Sequence, residues 1–326
     1  MGVNNDRQAQ AKEYARIRHR LFALELVLSA LAIFVVLATG LNLWLRDSIF
    51  LITRDVWLST FAYFAVAGFT YGVLFSPLTY YSGFVLPHRY GLSTQTLRGW
   101  LWDLAKGGML ALVLGGVVIE VVYFVLRTAP DLWWLYAAGF MLLFSVLLAN
   151  LAPVLIMPLF FKFEPLQDGE LVARLMKLAA NARTRVQGVY TIKLSEKTTA
   201  ANAAFMGLGN TKRIVLGDTL YKNYSHDEIE TILAHELGHQ VHNDIVWGII
   251  VETGLTLIGF VIADVTLRAG LTYLKFDSLA DLAALPVLAL ALGAYGLITM
   301  PLGNWYSRWR EGNADVYALE STRNAP

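Results

Sequence analysis

The sequence predicts a polytopic α-helical membrane protein with an α+β segment set between its spans. Three observations predict it. Of 326 residues, 56% are hydrophobic and 16% charged, with a mean hydropathy of +0.50; soluble domains carry about 25% charged residues. About six apolar runs are long enough to cross a bilayer, which takes about 20 residues as helix. Between the fourth and fifth runs, from Pro158 to Asp244, the composition turns polar and reads as alternating helix and strand.

The elements follow in order. Residues 1–20 are polar and basic, with Arg7, Lys12, Arg16, Arg18 and Arg20. The run Leu21–Leu45 exceeds the apolar core of a signal peptide and reads as a retained span. Further spans are expected over Val56–Leu86, Gly108–Leu126 and Leu132–Met157, with the polar stretch Pro87–Gly107 between the second and third. Tryptophans at span ends, such as Trp133 and Trp134, read as interface anchors. Asp168–Ala182 reads as an amphipathic helix and Val186–Lys193 as a strand. Ala200–Met206 and Arg213–Leu216 read as two more strands around the turn Gly207-Leu208-Gly209-Asn210. Two spans close the membrane part, Ile245–Leu267 and Leu282–Leu302, and the polar end Gly303–Pro326 opens as a helix. The expected division is 1–157 as a membrane domain of four spans, 158–244 as a catalytic domain, 245–302 as two further spans, and 303–326 as a C-terminal helix.

Positive charge predicts orientation. An even number of spans returns the chain to the side of its basic first residues, and there lie Arg89, Arg98 and Lys106, then Lys162, Arg174, Lys177, Arg183 and Arg185, then Arg308 and Arg310. The opposite loops are sparser in positive charge, with Arg46 and Arg54, then Arg127, then Arg268 and Lys275. The polar segments are therefore expected on the cytoplasmic side. A net charge of +1 gives no reason to expect a nucleic-acid partner. The absence of cysteine excludes disulfides and thiolate metal ligands, leaving histidine and carboxylates.

The chemistry concentrates in Thr231–Asp244, TILAHELGHQVHND. His235 and His239 stand four apart, on one helix face, where two imidazoles can hold one zinc ion. Glu236 flanks that face and can act as general base toward the attacking water. Ser225 with Glu228 three residues on has the spacing of a capping box opening this helix. A catalytic zinc site of this kind needs a carboxylate from elsewhere in the chain. Past the last span, Glu311 and Asp315 are again four apart. Glu311 fits as the third ligand, and Asp315 fits as an acceptor for the outer N–H of a ligand imidazole. His226 and His242 read as polar helix residues and not as ligands.

H-E-L-G-H at His235–His239, with S-R-x-x-E-x-x-A-D at Ser307, Arg308, Glu311, Ala314 and Asp315, resembles the membrane zinc metallopeptidases of family M48, and within it the Ste24 type, the CAAX prenyl proteases. Pro87–Lys106, Pro158–Gly169 and Asn202–Leu220 are similar to further stretches of that family. The resemblance implies a cytoplasmic α+β zincin-like catalytic domain and hydrolysis of peptide bonds in membrane-associated substrates, either CAAX-type C-terminal peptides or membrane proteins under quality control. It implies one Zn2+ per chain on His235, His239 and Glu311, with Glu236 as base and Asp315 behind the ligands. Its substrate strand falls on Asn202, Ala203, Ala204 and Phe205, where substrate would be added as a further strand. Asn304 and Arg308 match residues near the site. The expected partners are peptide or protein substrates at the membrane and the lipid bilayer.

Three departures from the family pattern stand in the sequence. Six spans are expected where Ste24-type proteins have seven. Thr198-Thr199-Ala200-Ala201 stands where relatives often carry a histidine. No histidine follows His242, whereas the family supplies one beyond the A-D motif to stabilise the oxyanion, so the sequence is truncated or another donor serves. A second class stays open on that account: a catalytically weak zinc-binding membrane scaffold or chaperone-like protein, which a peptidase assay separates from the enzyme.

Overall fold

The computed structural model describes residues 5–207, 212–274 and 276–322. Among them are six helical segments long and apolar enough to cross a membrane: Asp6–Thr39, Val56–Arg89, Leu97–Thr128, Trp133–Phe160, Asp244–Tyr273 and Leu282–Thr322. These are the six runs expected above. The chain groups into two compact units, one of Met1–Ser93, Leu97–Gly139 and Leu257–Gly296, the other of Thr94–Thr96, Phe140–Thr256 and Leu297–Pro326.

In the first unit, α1 (Asn5–Thr39) ends where Gly40 takes a left-handed φ of 73°, and α2 (Leu41–Ile52) starts afresh. The run Leu21–Leu45 is therefore broken and is not one span to its end, because glycine meets no Cβ penalty at positive φ. Next come α3 (Val56–Tyr80), a π-turn at Tyr81–Val85 and α4 (Leu86–Arg89), then α5 (Leu97–Thr128) and α6 (Trp133–Leu151). The end of α6 already belongs to the second unit, as does a second π-turn, Ala152–Ile156, that leads into α7 (Met157–Phe160). Each π-turn stands just before a proline, Pro87 or Pro158. Widening the turn moves the carbonyl that the proline ring would otherwise strike. The polar stretch Pro87–Gly107 is mostly helical, with only 90–96 between helices. Hydropathy marks where apolar residues stop, and the helices run on past that point.

α3 and α5 approach closely: a Cβ on Gly115 or Gly116 would lie 2.7 or 2.8 Å from Phe64 or Phe61. Outer apolar side chains such as Val27 and Phe34 stay exposed, as suits helices whose solvent is lipid. Trp133 departs from its expected role as an interface anchor. It is fully buried, and its Nε1–H donates to Asp264 at 2.7 Å. A buried indole N–H needs a partner, and the carboxylate supplies one.

The second unit holds a four-stranded sheet. β1 (Phe163–Pro165) is followed by α8 (Gly169–Asn181), β2 (Val189–Ile192), β3 (Ala203–Met206), β4 (Arg213–Gly217) and α9 (Asp218–Asn223). The strand order is β1-β2-β4-β3, with β2 and β4 parallel and the outer pairs antiparallel. β1 was not expected: it has three residues and ends in Pro165, which a sheet edge tolerates because the missing N–H is not needed there. Asp168 caps α8 by accepting the Leu171 N–H at 3.0 Å. The expected turn at Leu208-Gly209-Asn210 lies outside the described residues.

Period-two alternation sorts the strands. Val189, Ala203, Phe205, Ile214 and Leu216 face the core, where Leu171 and Leu175 of α8 meet Ile229, Leu233 and Leu237 of α10 (His226–Val241). Tyr190, Ile192, Val215 and Met206 face the other side with Phe161 and Phe163. α11 (Asp244–Tyr273) follows α10, and α12 (Leu285–Thr322) ends the described chain.

Candidate metal centre

α10 begins with the expected capping box. The Ser225 hydroxyl accepts the Glu228 N–H at 3.4 Å, and Glu228 Oε2 accepts the Ser225 N–H at 2.8 Å. Ile229, Leu233 and Leu237 are fully buried against the sheet. That anchors the helix and turns His235 and His239 to its far, partly open face, with Glu236 at the border between that face and the buried stripe.

α12 meets α10 through small residues. Gly238 lies between the two histidines, and a Cβ there would stand 2.9 Å from the Ala314 Cα. Ala314 and Ala318 are buried at this crossing. The close approach brings Glu311, on the neighbouring stripe of α12, to the imidazoles: Oε2 is 3.2 Å from His235 Nε2 and 3.8 Å from His239 Nε2. One ligand atom from each of the three residues lies within 4.8 Å of the others. Asn304 and Arg308, two turns and one turn before Glu311, share its face of α12 and are exposed.

Each ring is held from behind. His235 Nδ1 is 2.8 Å from Asp315 Oδ1, and His239 Nδ1 is 2.8 Å from Asp244 Oδ2. A carboxylate can only accept, so both Nδ1 atoms donate, which leaves each Nε2 as the atom able to offer a lone pair to a metal. Two imidazole lone pairs and a carboxylate thus converge on one point. Three acceptors so placed repel unless a cation lies among them, and two histidines with one carboxylate form the donor set of a catalytic zinc site. The residues fit a metal.

Asp244 was not singled out from sequence. It lies past the end of α10, where Asn243 takes a left-handed φ of 54° and returns the chain toward His239. An asparagine just after a helix is the one local signal of such a reversal. Burial pushes the Glu236 carboxyl above the usual glutamate range, the imidazoles of His239 and His235 oppose the shift, and Glu311 adds to it. His226 and His242 stay outside the donor set: His226 Nε2 meets Asp168 at 3.1 Å, and His242 Nδ1 meets the Gly238 carbonyl at 2.8 Å.

β3 is an edge strand, and α10 packs on its inner face. The Gly217 N–H donates to the Asn202 carbonyl at 2.8 Å, and the register pairs Ala203 with Leu216 and Ala204 with Val215. Alternation along an antiparallel pair then turns the Ala204 backbone toward β4 and the Ala203 and Phe205 backbones toward the open edge.

Comparison with known proteins matches residues 2–162 to the family described as CAAX prenyl protease N-terminal, five membrane helices, and residues 165–325 to Peptidase family M48. An uncharacterized metalloprotease, YhfN, of Bacillus subtilis (strain 168) is 31% identical over 97% of this chain and 75% of its own length. CAAX prenyl protease 1 of Saccharomyces cerevisiae is 40% identical over 52% of this chain and 38% of its own. A probable CAAX prenyl protease 1 of Schizosaccharomyces pombe is 35% identical over 75% of this chain and 52% of its own. The chain thus spans about half or less of the length of these two yeast proteins. The crystal structure of S. mikatae Ste24p superposes with a TM-score of 0.80 at 25% identity, covering 98% of this chain and 80% of that one.

Proposed function

Because the chain belongs to peptidase family M48, as an integral-membrane metalloprotease of the Ste24 type, we propose that it cuts membrane-associated peptides with zinc held by His235, His239 and Glu311. The observation that carries this reading is the convergence of two Nε2 lone pairs and one carboxylate oxygen within 4.8 Å. A zinc ion so held supplies Lewis-acid polarisation of the scissile carbonyl and makes water acidic enough to react near neutral pH.

The chain's own residues do the rest. Glu236, partly buried beside the two histidines, takes a proton from the attacking water and delivers it to the leaving amine, so the carboxylate is regenerated with each cut. Asp315 and Asp244 hold the imidazoles in the tautomer that directs Nε2 at the site. The open edge of β3, from Asn202 through Ala203 and Ala204 to Phe205, receives the substrate backbone as an added strand and so presents an extended peptide beside α10.

The substrate class we propose is the CAAX-type C-terminal peptide; the likeness to the two yeast CAAX prenyl proteases supports it. We place the site on the cytoplasmic side; the excess of Arg and Lys in the even-numbered connections supports this.

Exchange of Glu236 for Gln tests the chemistry. Glu236→Gln is expected to keep its metal and to lose about 10²–10⁴-fold in rate on a prenylated CAAX peptide. Cleavage at the wild-type rate would mean that another group is the base. Wild-type cleavage of a membrane-protein fragment with no activity on the prenylated peptide would keep the enzyme and replace the substrate class.

A further inference from the structure

Arg310, which pairs with Asp244, has no part in the chemistry above. Asp244 uses Oδ2 for His239 Nδ1, and its other oxygen, Oδ1, pairs with Arg310 Nη2. Both side chains are largely withdrawn from water, 14% and 11% exposed, whereas the Asp315 side chain behind the other histidine is 61% exposed. Arg310 Nη2 also donates to the His242 carbonyl at 2.9 Å, at the C-terminal end of α10. In sequence Arg310 is the residue before Glu311.

We propose that Arg310 is a positioning residue for the metal centre: it fixes Asp244 against His239, so that the helix supplying Glu311 also sets the orientation of the His239 ring. The inference rests on the metal-centre reading above. Asp244 is the first residue of α11, just after a residue in left-handed conformation, and nothing in the helix itself points its side chain at His239. A buried carboxylate keeps its charge only where a counter-charge and hydrogen bonds satisfy it. Arg310 supplies the counter-charge to Asp244 while His239 Nδ1 meets the other oxygen, and Arg310 Nη2 ties the pair to the backbone carbonyl of His242. An ammonium on a flexible stem carries the same charge with its direction less fixed. A plain structural staple between the α10–α11 turn and α12 would stabilise the fold in the same way but would leave the metal site indifferent to Arg310.

The test uses the full chain purified in detergent, with zinc affinity by chelator competition, the ligand-field spectrum of the cobalt-substituted protein, and melting temperature. Arg310→Met is expected to lower zinc affinity about 10–100-fold, the usual effect of losing a group that orients a metal ligand, and to change the cobalt spectrum. Arg310→Lys should recover part of the loss. The double variant Asp244→Asn/Arg310→Met leaves no lone buried charge, and it should bind zinc no more weakly than Asp244→Asn alone, because both act through one contact. Wild-type affinity and spectrum in Arg310→Met, or a double loss equal to the product of the single losses, overturns the proposal. If Arg310→Met does not fold, the double variant decides, since wild-type affinity there overturns the proposal equally. Failure of the underlying reading looks different: wild-type protein without stoichiometric metal, or His239→Ala with its metal intact.

Discussion

The ligand-bearing residues differ in what they touch, and their substitutions should differ accordingly. Glu311 Oε2 stands 3.2 Å from His235 Nε2 at the point where the donors converge, whereas Asp315 meets only the outer nitrogen of the same ring. Glu311→Ala is expected to weaken zinc binding more than Asp315→Ala, for which about 10–100-fold in affinity or activity is the usual scale. The reverse order in a chelator competition would mean that the two acids have exchanged roles. A second carboxylate serves stability. Asp218 accepts the Ser195 N–H at 2.8 Å, the Ser195 hydroxyl at 2.5 Å and Lys222 Nζ at 2.9 Å. Burial pushes this carboxyl up, but the bonds from Ser195 and Lys222 overcome that and hold it at about 2. The folded value lies below the unfolded one, so the stabilisation is full above the unfolded value and is lost as pH falls toward 2. Asp218→Asn should therefore cost about 2 kcal/mol near pH 7, with the gap from wild type closing below about pH 4 in thermal melts. An unchanged gap at low pH would show that the loss is packing and not charge.

At the scale of elements, the site depends on one strand edge and one helix crossing. The ladder between β3 and β4 turns the Ala203 N–H outward and the Ala204 N–H inward. Ala203→Pro is expected to reduce peptide cleavage while metal content and melting temperature stay near wild type; Ala204→Pro removes a ladder bond and should lower the melting temperature. Wild-type cleavage by a folded Ala203→Pro variant would mean that substrate is not laid along this edge. The α10–α12 crossing works through Gly238, whose missing Cβ lets the Ala314 backbone approach and brings Glu311 to the histidines. Any larger residue there must separate the helices, and so separates the third ligand from the first two.

At the scale of the whole molecule, six spans and the charge of the connecting segments predict sidedness. The absence of native cysteine allows single introduced thiols to report it cleanly. Glu170, after the fourth span, and Asp131, between the third and fourth, have side chains 76% and 93% exposed. A membrane-impermeant maleimide added to intact cells is expected to label Asp131→Cys and not Glu170→Cys, with both labelled after lysis. The opposite pattern would put the metal site on the other face of the membrane.

The sequence by itself determined the six spans, the capped helix of H-E-x-x-H and the pairing of Glu311 with Asp315. Each of these rests on local regularity: apolar runs of bilayer length, a Ser225–Glu228 box, and residues four apart on one helix face. The edge position of β3, the short strand β1, the break at Gly40 and the burial of Trp133 came only with the tertiary structure. Which strand ends a sheet depends on the pairing of distant segments, and which tryptophan meets a carboxylate depends on a helix far along the chain. Asp244 and Arg310 show the difference most directly. They are far apart in sequence and meet only because an asparagine in left-handed conformation reverses the chain and a glycine lets two helices touch. No periodicity records that meeting, since it is produced by packing.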